Sequence, residues 1–412
     1  MLYDATEGLS DLLAKERVTA YIGFDPTASS LHVGSLLTVM GLARLQRFGH
    51  APIAIVGGGT GMIGDPSGKS QERVLLSADQ LDVNVAGIRA QLERFMDFGT
   101  GVNAARIVNN ADWLGTIDLV SFLRDAGKHF TVNYMLQKES VSRRLESEEG
   151  ISFTEFSYLV LQAYDFLQLF DRYGCLLQMG GSDQWGNITA GIDLIRKLRA
   201  KKAHGLVWPL MRTASGTKFG KTETGTVWLD SDRTSPFKFY QFWLNTDDRD
   251  VVTYLKSFTF LERQAIEALE EATKMAPERR EAQQVLAREV TELVHGREQV
   301  LRAVHASTVL FGEDIATLDA EDVLAVFEDV PSTELPSEAF DGEGLGMVDL
   351  VARVQLAPSK SEARRLVQSG GVYVNNRRMS DPQGRVTRDQ AIGGRLFIVR
   401  KGQKLNHVVR LT

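Results

Sequence analysis

The chain reads as an α/β protein: a Rossmann-like, mostly parallel-sheet domain, then an α-helical domain and a small basic α+β module. Three observations predict this order. Between about Arg17 and Gly220, short β-rich runs at 19–24, 51–57 and 175–180 alternate with stretches of helical periodicity, the rhythm of a sheet covered by helices on both faces. From about Asp247 to Asp329 the strand signals fade, and the segment from Pro277 to Val294 places apolar residues at helical spacing. From Met347 to Thr412 there are 13 Lys and Arg against 4 Asp and Glu, so this tail is +9 while the rest of the chain, whose total is −6, is −15.

Composition bounds the function. With 412 residues, 43% hydrophobic and 24% charged, the chain can fill two or three cores, which excludes disordered and fibrous classes. A single cysteine, Cys175, rules out an internal disulfide and fits a reducing cytoplasm. The start, Met1-Leu-Tyr-Asp-Ala-Thr-Glu7, has neither the basic nor the apolar stretch of a signal peptide, and no apolar run is long enough to span a bilayer, so a cytoplasmic protein without a membrane partner is expected. A basic module on an acidic body suggests a polyanionic partner.

The strand at 19–24 leads into Asp25-Pro-Thr-Ala-Ser-Ser-Leu-His-Val-Gly-Ser35. Asp25-Pro26-Thr27 has turn chemistry, and a helix is expected to begin near Leu31. That would put the His32 imidazole and the Thr27 hydroxyl at a helix N-terminus, where free N–H groups and the macrodipole favour phosphate. Gly34, lacking a Cβ, would let the backbone approach a flat base. Far along the chain, Met211–Thr222 is a Gly, Ser and Thr-rich loop whose Lys218 and Lys221 could meet charge building up on a leaving pyrophosphate. Each half alone is weak; together they suggest an enzyme that activates a carboxylate with ATP.

The Gly57–Lys69 run contains a Gly-x-Gly-x-x-Gly at 59–64, but Asp65-Pro-Ser-Gly68 follows where a dinucleotide fingerprint would enter a helix. Nor has the stretch from Gly61 to Gly68-Lys69 the spacing of a phosphate-binding loop. Tyr158, Gln162 and Asp165 stand at i, i+4 and i+7, a polar stripe on one face of an otherwise apolar helix. Buried without partners, such groups cost about 1–3 kcal/mol each, so they need either an internal network or a ligand. In the Gly180–Asn187 loop, Asp183 could accept from a ribose hydroxyl and Gly181 leaves backbone access; a plain turn is the alternative.

His32-Val-Gly-Ser35 and Lys218-Phe-Gly-Lys-Thr222 resemble the HIGH and KMSKS signatures of class I aminoacyl-tRNA synthetases. Tyr21–Thr27, Gly57–Lys69, Phe153–Asp165 and Gly180–Asn187 look like those of the bacterial tyrosyl-tRNA synthetases, and the resemblance covers nearly the whole chain. It implies a ligase that converts L-tyrosine and ATP to tyrosyl-adenylate and pyrophosphate, then transfers tyrosine to tRNA(Tyr), with Mg2+ on the ATP phosphates and no prosthetic group. By the same resemblance, Tyr21 and Asp165 would hydrogen-bond the substrate phenol, while Tyr158, Gln162 and Asp65 would hold its ammonium, with Gln184 near the carboxylate. Thr27, His32, Lys218 and Lys221 would act on the phosphates, with Lys69 and Arg73 as further ATP cations beside Gly34, Gly181 and Asp183.

The resemblance also divides the chain. Residues 1–225 would be the catalytic domain, and 226–330 would lead from the Lys218–Thr222 loop into a helical anticodon-recognition domain. Residues 331–346, with prolines, glycines, four acids and no Lys or Arg, would be an acidic flexible linker. Residues 347–412 look like an S4-type RNA-binding domain, with Lys360, Arg364 and Arg365 on a short helix, Gly370-Gly371 turning the chain and Val372–Val374 opening a strand. A homodimer is implied, its interface near Lys128–Leu136 and Phe153. Two positions depart from the pattern: Ser35 stands where His or Asn is usual, and Ile22 where Cys is frequent. Tryptophanyl-tRNA synthetases share the two ATP motifs, but Tyr21, Asp165 and the tail favour tyrosine; a non-catalytic RNA-binding scaffold and a small nucleotidyltransferase fit less of the chain.

Overall fold

The computed structural model describes residues 2–65, 76–146, 150–217, 219–222, 225–310, 320–327, 330–402 and 405–412. The chain forms two compact units, one of residues 1–233 and 247–282, the other of 234–246 and 283–412.

The first unit is built on a six-stranded sheet: β1 (Asp4–Ala5), β2 (Thr19–Phe24), β3 (Ala51–Val56), β4 (Arg106–Asn109), β5 (Cys175–Gly181) and β6 (His204–Trp208). Their spatial order is β1-β6-β5-β2-β3-β4, all parallel except β1, which runs antiparallel to β6. The central strands are apolar on both faces, as parallel strands between helical layers must be. Tyr21, Ile53 and Ile55 from the sheet meet Leu159, Phe166 and Leu194 from the helices in one core, where burying each large side chain stabilises by about 1.5–3 kcal/mol.

This order determines where a ligand can sit. From β2 the chain runs outward through β3 and β4, then returns to lay β5 and β6 on the other side of β2. The crevice beyond the carboxyl ends of β2 and β5 is therefore the topological switch point of the sheet. The helix Val33–Arg47 follows β2, the helix Phe153–Tyr173 precedes β5, and the helix Trp185–Arg199 follows it. The helix before β5 starts where Ser152 Oγ accepts from the Glu155 N–H at 3.2 Å, and it stops at Gly174 in the left-handed region with φ 63°.

The three β-rich runs expected from sequence are β2, β3 and β5, with ends shifted by at most one residue. The helical region expected from about Asp247 to Asp329 is divided between the units: the helices Asp248–Phe258 and Arg263–Met275 belong to the first. Arg44 secures the former by donating through Nη2 to the carbonyls of Lys256 and Thr259 at 3.0 and 2.9 Å, while Arg47 lies 3.3 Å from the ring centre of Phe260. At the end of the expected catalytic loop, β7 (Lys221–Thr222) pairs antiparallel with β8 (Gly225–Thr226).

In the second unit, β9 (Ser332–Leu335), β11 (Val372–Val374), β12 (Arg377–Met379), β14 (Leu396–Lys401) and β15 (Leu405–Leu411) form a sheet in the order β12-β11-β14-β15-β9. In chain order, β10 (Leu345–Gly346) pairs separately with β13 (Arg385–Val386). The expected acidic linker at 331–346 is thus a folded part of this unit: β9 pairs in parallel with β15, and Phe340 is 1% exposed and stacks on Phe397 at 4.9 Å. Leu335, Phe340 and Leu345 anchor it at five-residue intervals, a spacing that matches neither a strand nor a helix period and leaves only the polar composition visible in the sequence. The helices here share a core with the sheet, through Ala306, Val323 and Phe327 against Leu396, Ile398 and Val408. Among the described residues, no helix is long and apolar enough to cross a membrane.

Candidate active site

The floor of the crevice is a buried carboxylate. Asp165 sits on the helix Phe153–Tyr173 at 4% exposure, and its oxygens accept from Trp113 Nε1 at 2.6 Å and Asn110 Nδ2 at 3.0 Å. Burial pushes its carboxyl up to about 7, opposed by the hydrogen bonds from Asn110 and Trp113 and supported by the charge of Asp25. Tyr21, 1% exposed on β2, has a hydroxyl with no hydrogen-bond partner among the described residues, and its phenol is pushed well above its ordinary value by burial first and by Asp165 second. Opposite Tyr21 in the β2–β5 register, Gln178 is also buried, and its Oε1 lacks a partner among the described residues. A carboxylate acceptor and polar atoms without a partner among the described residues, set in an apolar core, suit a ligand that brings its own hydroxyl.

Above this floor lies a second polar group. Gln184 donates through Nε2 to Asp65 Oδ2 at 2.8 Å, and its Oε1 accepts from Gln162 Nε2 at 3.2 Å. Asn187 Nδ2 closes the chain by donating to Gln162 Oε1 at 2.9 Å. Tyr158 Oη donates to Asp25 Oδ1 at 3.5 Å. The polar helical stripe is thus internally hydrogen-bonded, Gln162 through Gln184 and Asn187 and Asp165 through Asn110 and Trp113, while the charge of Asp165 is felt by the buried Tyr21 phenol. All six residues assigned to the amino acid by resemblance lie at this end of the sheet, on β2, the loop after β3, the helix before β5 and the short turn after it.

Asn110 and Trp113 were not singled out from sequence. Asn110 also accepts at Oδ1 from the Gly59 N–H at 2.8 Å and donates to Thr60 Oγ1 at 2.9 Å, so it ties the Gly57–Thr60 turn to Asp165. The glycines there serve packing: a Cβ on Gly58 would run into the Asn109 side chain, and one on Gly59 would lie 3.1 Å from Leu114. The only signal was the Asn109-Asn110-Ala-Asp-Trp113 string closing a β-rich run.

The two ATP half-motifs meet. The helix starts at Val33, two residues later than expected, and His32 is its N-cap in extended conformation. Thr27 is exposed in the turn after β2, ahead of the helix N-terminus expected to include it, because Ser29–Leu31 continue the loop. The stretch after β8 runs alongside: Val33 N–H donates to the Val227 carbonyl at 3.0 Å, Leu229 N–H to the Leu31 carbonyl at 2.9 Å, and His32 bridges Trp228. Gly220 has φ 85°, and a Cβ there would lie 2.9 Å from Val33 Cγ2 and 3.1 Å from the Gly34 nitrogen. Only glycine permits that approach. At Gly34 the space of the missing Cβ is taken by the His32 ring, whose Cε1 would be 2.7 Å away.

One helix face secures this loop. Along Ala78–Leu92, Asn84 Nδ2 donates to the Pro26 carbonyl at 2.8 Å, Gly87 lets the helix approach Ser29, and Gln91 Oε1 accepts from the Leu31 N–H at 2.8 Å. Gly181 ends β5, and Asp183 is exposed in the one-turn 3-10 helix that follows, with its carboxylate where a Cβ on Gly181 would fall. Lys69, Arg73 and Lys218 lie outside the described residues, as does the side chain of Lys221, whose backbone is in β7.

In the second unit, Lys360, Arg364 and Arg365 lie on the helix Lys360–Gln368 and are exposed. Lys360 Nζ is 2.6 Å from Asp349 Oδ1, while Arg365 and Lys401 line a shallow hollow with Glu362 and Ser369.

Residues 13–312 match the family model described as tRNA synthetases class I (W and Y), and residues 322–409 match the tyrosine–tRNA ligase SYY-like C-terminal domain. The chain is 57% identical to a tyrosine–tRNA ligase of Roseiflexus castenholzii over 411 residues, 100% of this chain and 97% of that one. It is 53% identical to one of Geobacillus stearothermophilus over 405 residues, 98% and 95% of the two chains. Among solved structures, a C-terminally truncated Aspergillus nidulans mitochondrial tyrosyl-tRNA synthetase matches with a TM-score of 0.67 at 33% identity, covering 75% of this chain and 91% of that one.

Proposed function

The chain belongs to the class I tRNA synthetases of the tryptophan and tyrosine family, and from that membership we propose the roles of its site residues in joining tyrosine to tRNA. The reaction has two steps. An oxygen of the tyrosine carboxylate attacks the α-phosphorus of ATP, the bond to the bridging oxygen breaks, and pyrophosphate leaves behind tyrosyl-adenylate. The terminal ribose hydroxyl of tRNA then attacks the tyrosyl carbonyl carbon and AMP departs. Neither step needs a protein nucleophile, so catalysis rests on positioning and on donors aimed at developing charge.

The observation that carries the choice of tyrosine is the pairing of a buried Asp165 carboxylate with the unsatisfied Tyr21 hydroxyl. The substrate phenol donates to Asp165 and accepts from Tyr21; phenylalanine would leave the Tyr21 hydroxyl unsatisfied, a cost of about 1–3 kcal/mol for a buried group, and would add no donor to the Asp165 carboxylate. Asp65, Tyr158 and Gln162 receive the ammonium, and Gln184, already hydrogen-bonded to Asp65, lies beside the carboxylate. Thr27, His32, Lys218 and Lys221 act on the phosphates, with Lys69 and Arg73; Gly34, Gly181 and Asp183 border the nucleoside. Magnesium enters with ATP as part of the substrate.

Arg364 and Arg365, with Lys360, contact tRNA phosphates. The helices of the second unit read the anticodon region. Two copies of the chain pair through the apolar side chains that the first unit exposes at Val132, Leu136 and Phe153, the last 78% exposed. The substrates are those of cytoplasmic translation, which is where we place the protein. Charging of tRNA(Tyr) with labelled tyrosine and ATP tests the assignment: an ester-linked tyrosine is expected, and charging with tryptophan instead would overturn it.

A further inference from the structure

The segment bearing Lys218 and Lys221 has two attachments that the reaction itself does not explain. Its tip is a tight turn in which Thr213 N–H donates to the Thr217 carbonyl at 3.0 Å, and the Ala214 N–H within that turn donates to Asp250 Oδ2 at 2.9 Å. At its base, Phe219 lies between the two lysines in sequence and is 5% exposed. Its ring stacks on Phe258 at 5.1 Å and meets Tyr254 edge-on at 4.9 Å. Asp250, Tyr254 and Phe258 are i, i+4 and i+8 on the helix Asp248–Phe258, one face of that helix.

That helix is tied to the other half of the ATP site. Its last carbonyls receive the guanidinium of Arg44, from the final turn of the helix whose N-cap is His32. The circuit closes on the opposite side, where Gly220 packs on Val33 and Gly34. His32 and the lysine segment are thereby referred to one frame made of two helices.

We propose that Phe219 is a positioning residue for the activation step: seated between Tyr254 and Phe258, and with the turn pinned by Asp250, it anchors the backbone of 219–222 beside the start of the helix Val33–Arg47 for the departure of pyrophosphate. The inference rests on the reading of Lys218 and Lys221 as phosphate ligands. An aromatic ring in a packed slot resists sliding, because every displacement loses contacts, and a misplacement of about 1 Å in a charged group can cost about a hundredfold in rate.

The test uses the full chain with Phe219→Ala, Phe219→Leu and Asp250→Ala, measuring tyrosine-dependent ATP–pyrophosphate exchange over both substrates. Tyrosine binding without ATP and the thermal midpoint are measured alongside. The expected result is a fall in kcat of about tenfold or more for Phe219→Ala, from lost stabilisation of the leaving group, and a smaller fall for Asp250→Ala. The tyrosine dissociation constant stays within about twofold, as the pocket around Asp165 is untouched. Phe219→Leu, which refills much of the slot, recovers most of the rate. Exchange in Phe219→Ala and Asp250→Ala within about twofold of the unaltered chain overturns the proposal, since positioned charges contribute more than that. So does a loss of tyrosine affinity and thermal midpoint in step with the rate, without recovery in Phe219→Leu. Absence of tyrosine-dependent exchange in the unaltered chain overturns the phosphate reading itself, and the inference with it.

Discussion

The indole Nε1 of Trp113 donates a 2.6 Å hydrogen bond to Oδ1 of Asp165, and both groups are almost wholly buried. Together with the bond from Asn110 Nδ2 to Oδ2 at 3.0 Å, this bond fixes the orientation of the carboxylate. A hydrogen bond to a charged group contributes about 1.5–3 kcal/mol, so Trp113→Phe, which keeps the packing and removes the donor, should weaken tyrosine binding by roughly tenfold or more. Titration of tyrosine by equilibrium dialysis checks this; the ATP Michaelis constant should barely move.

Asp165 also gives the protein a pH signature. Burial raises its carboxyl from 3.8 to about 7, so between these values the folded chain holds a proton that the unfolded chain has released. This contribution to stability is present at low pH and is lost as pH rises through that window. Asp165→Asn should flatten the slope in denaturant titrations from about pH 4 to pH 7. In the unaltered chain, tyrosine affinity should increase as pH rises through about 7, because the ionised carboxylate is the better acceptor for a phenol.

Gly220 joins the two ATP half-motifs through a left-handed φ of 85° and a contact that a Cβ would obstruct. Gly220→Ala should cost about 1–3 kcal/mol of local strain and displace the segment from His32. Steady-state exchange should show a reduced kcat with unchanged tyrosine affinity.

Phe340 tests the folded character of the acidic segment before the C-terminal strands. Truncation to Ala removes a fully buried ring that stacks on Phe397, and such changes cost about 3–5 kcal/mol. Thermal unfolding followed by circular dichroism should show the second unit melting earlier, whereas a flexible linker would register no change.

For tRNA, Arg364→Ala and Arg365→Ala should each weaken binding and lower the salt slope by about one unit, leaving pyrophosphate exchange intact. Lys360→Ala should do less, since its ammonium is already held by Asp349 at 2.6 Å.

Much of the site was legible because its residues carry local signatures. Tyr158, Gln162 and Asp165 announce themselves as polar positions on an apolar helix, and the strand before Asp25 ends in turn residues. Asn110 and Trp113 were not legible: they reach Asp165 only because β4 takes the sheet edge, with two strands between it and β5, a fact of topology that no short window of sequence contains. The Asn84, Gly87 and Gln91 face is likewise recognisable only once its partner, the Pro26–Leu31 loop, is in place. In the C-terminal unit, the acidic composition of 331–346 masked three apolar anchors whose five-residue spacing follows no regular period. The glycines at 34 and 220 were visible as motif members, but the physical reason for each, the His32 ring and the Val33–Gly34 backbone, required coordinates.

The central claim is that Asp165 and Tyr21 read the phenol. Amino-acid-dependent ATP–pyrophosphate exchange, with tyrosine, phenylalanine and tryptophan offered separately to the unaltered chain, tests it most directly. Exchange with tyrosine and only background with the other two is predicted; exchange with phenylalanine as fast as with tyrosine, or with tryptophan alone, would contradict it.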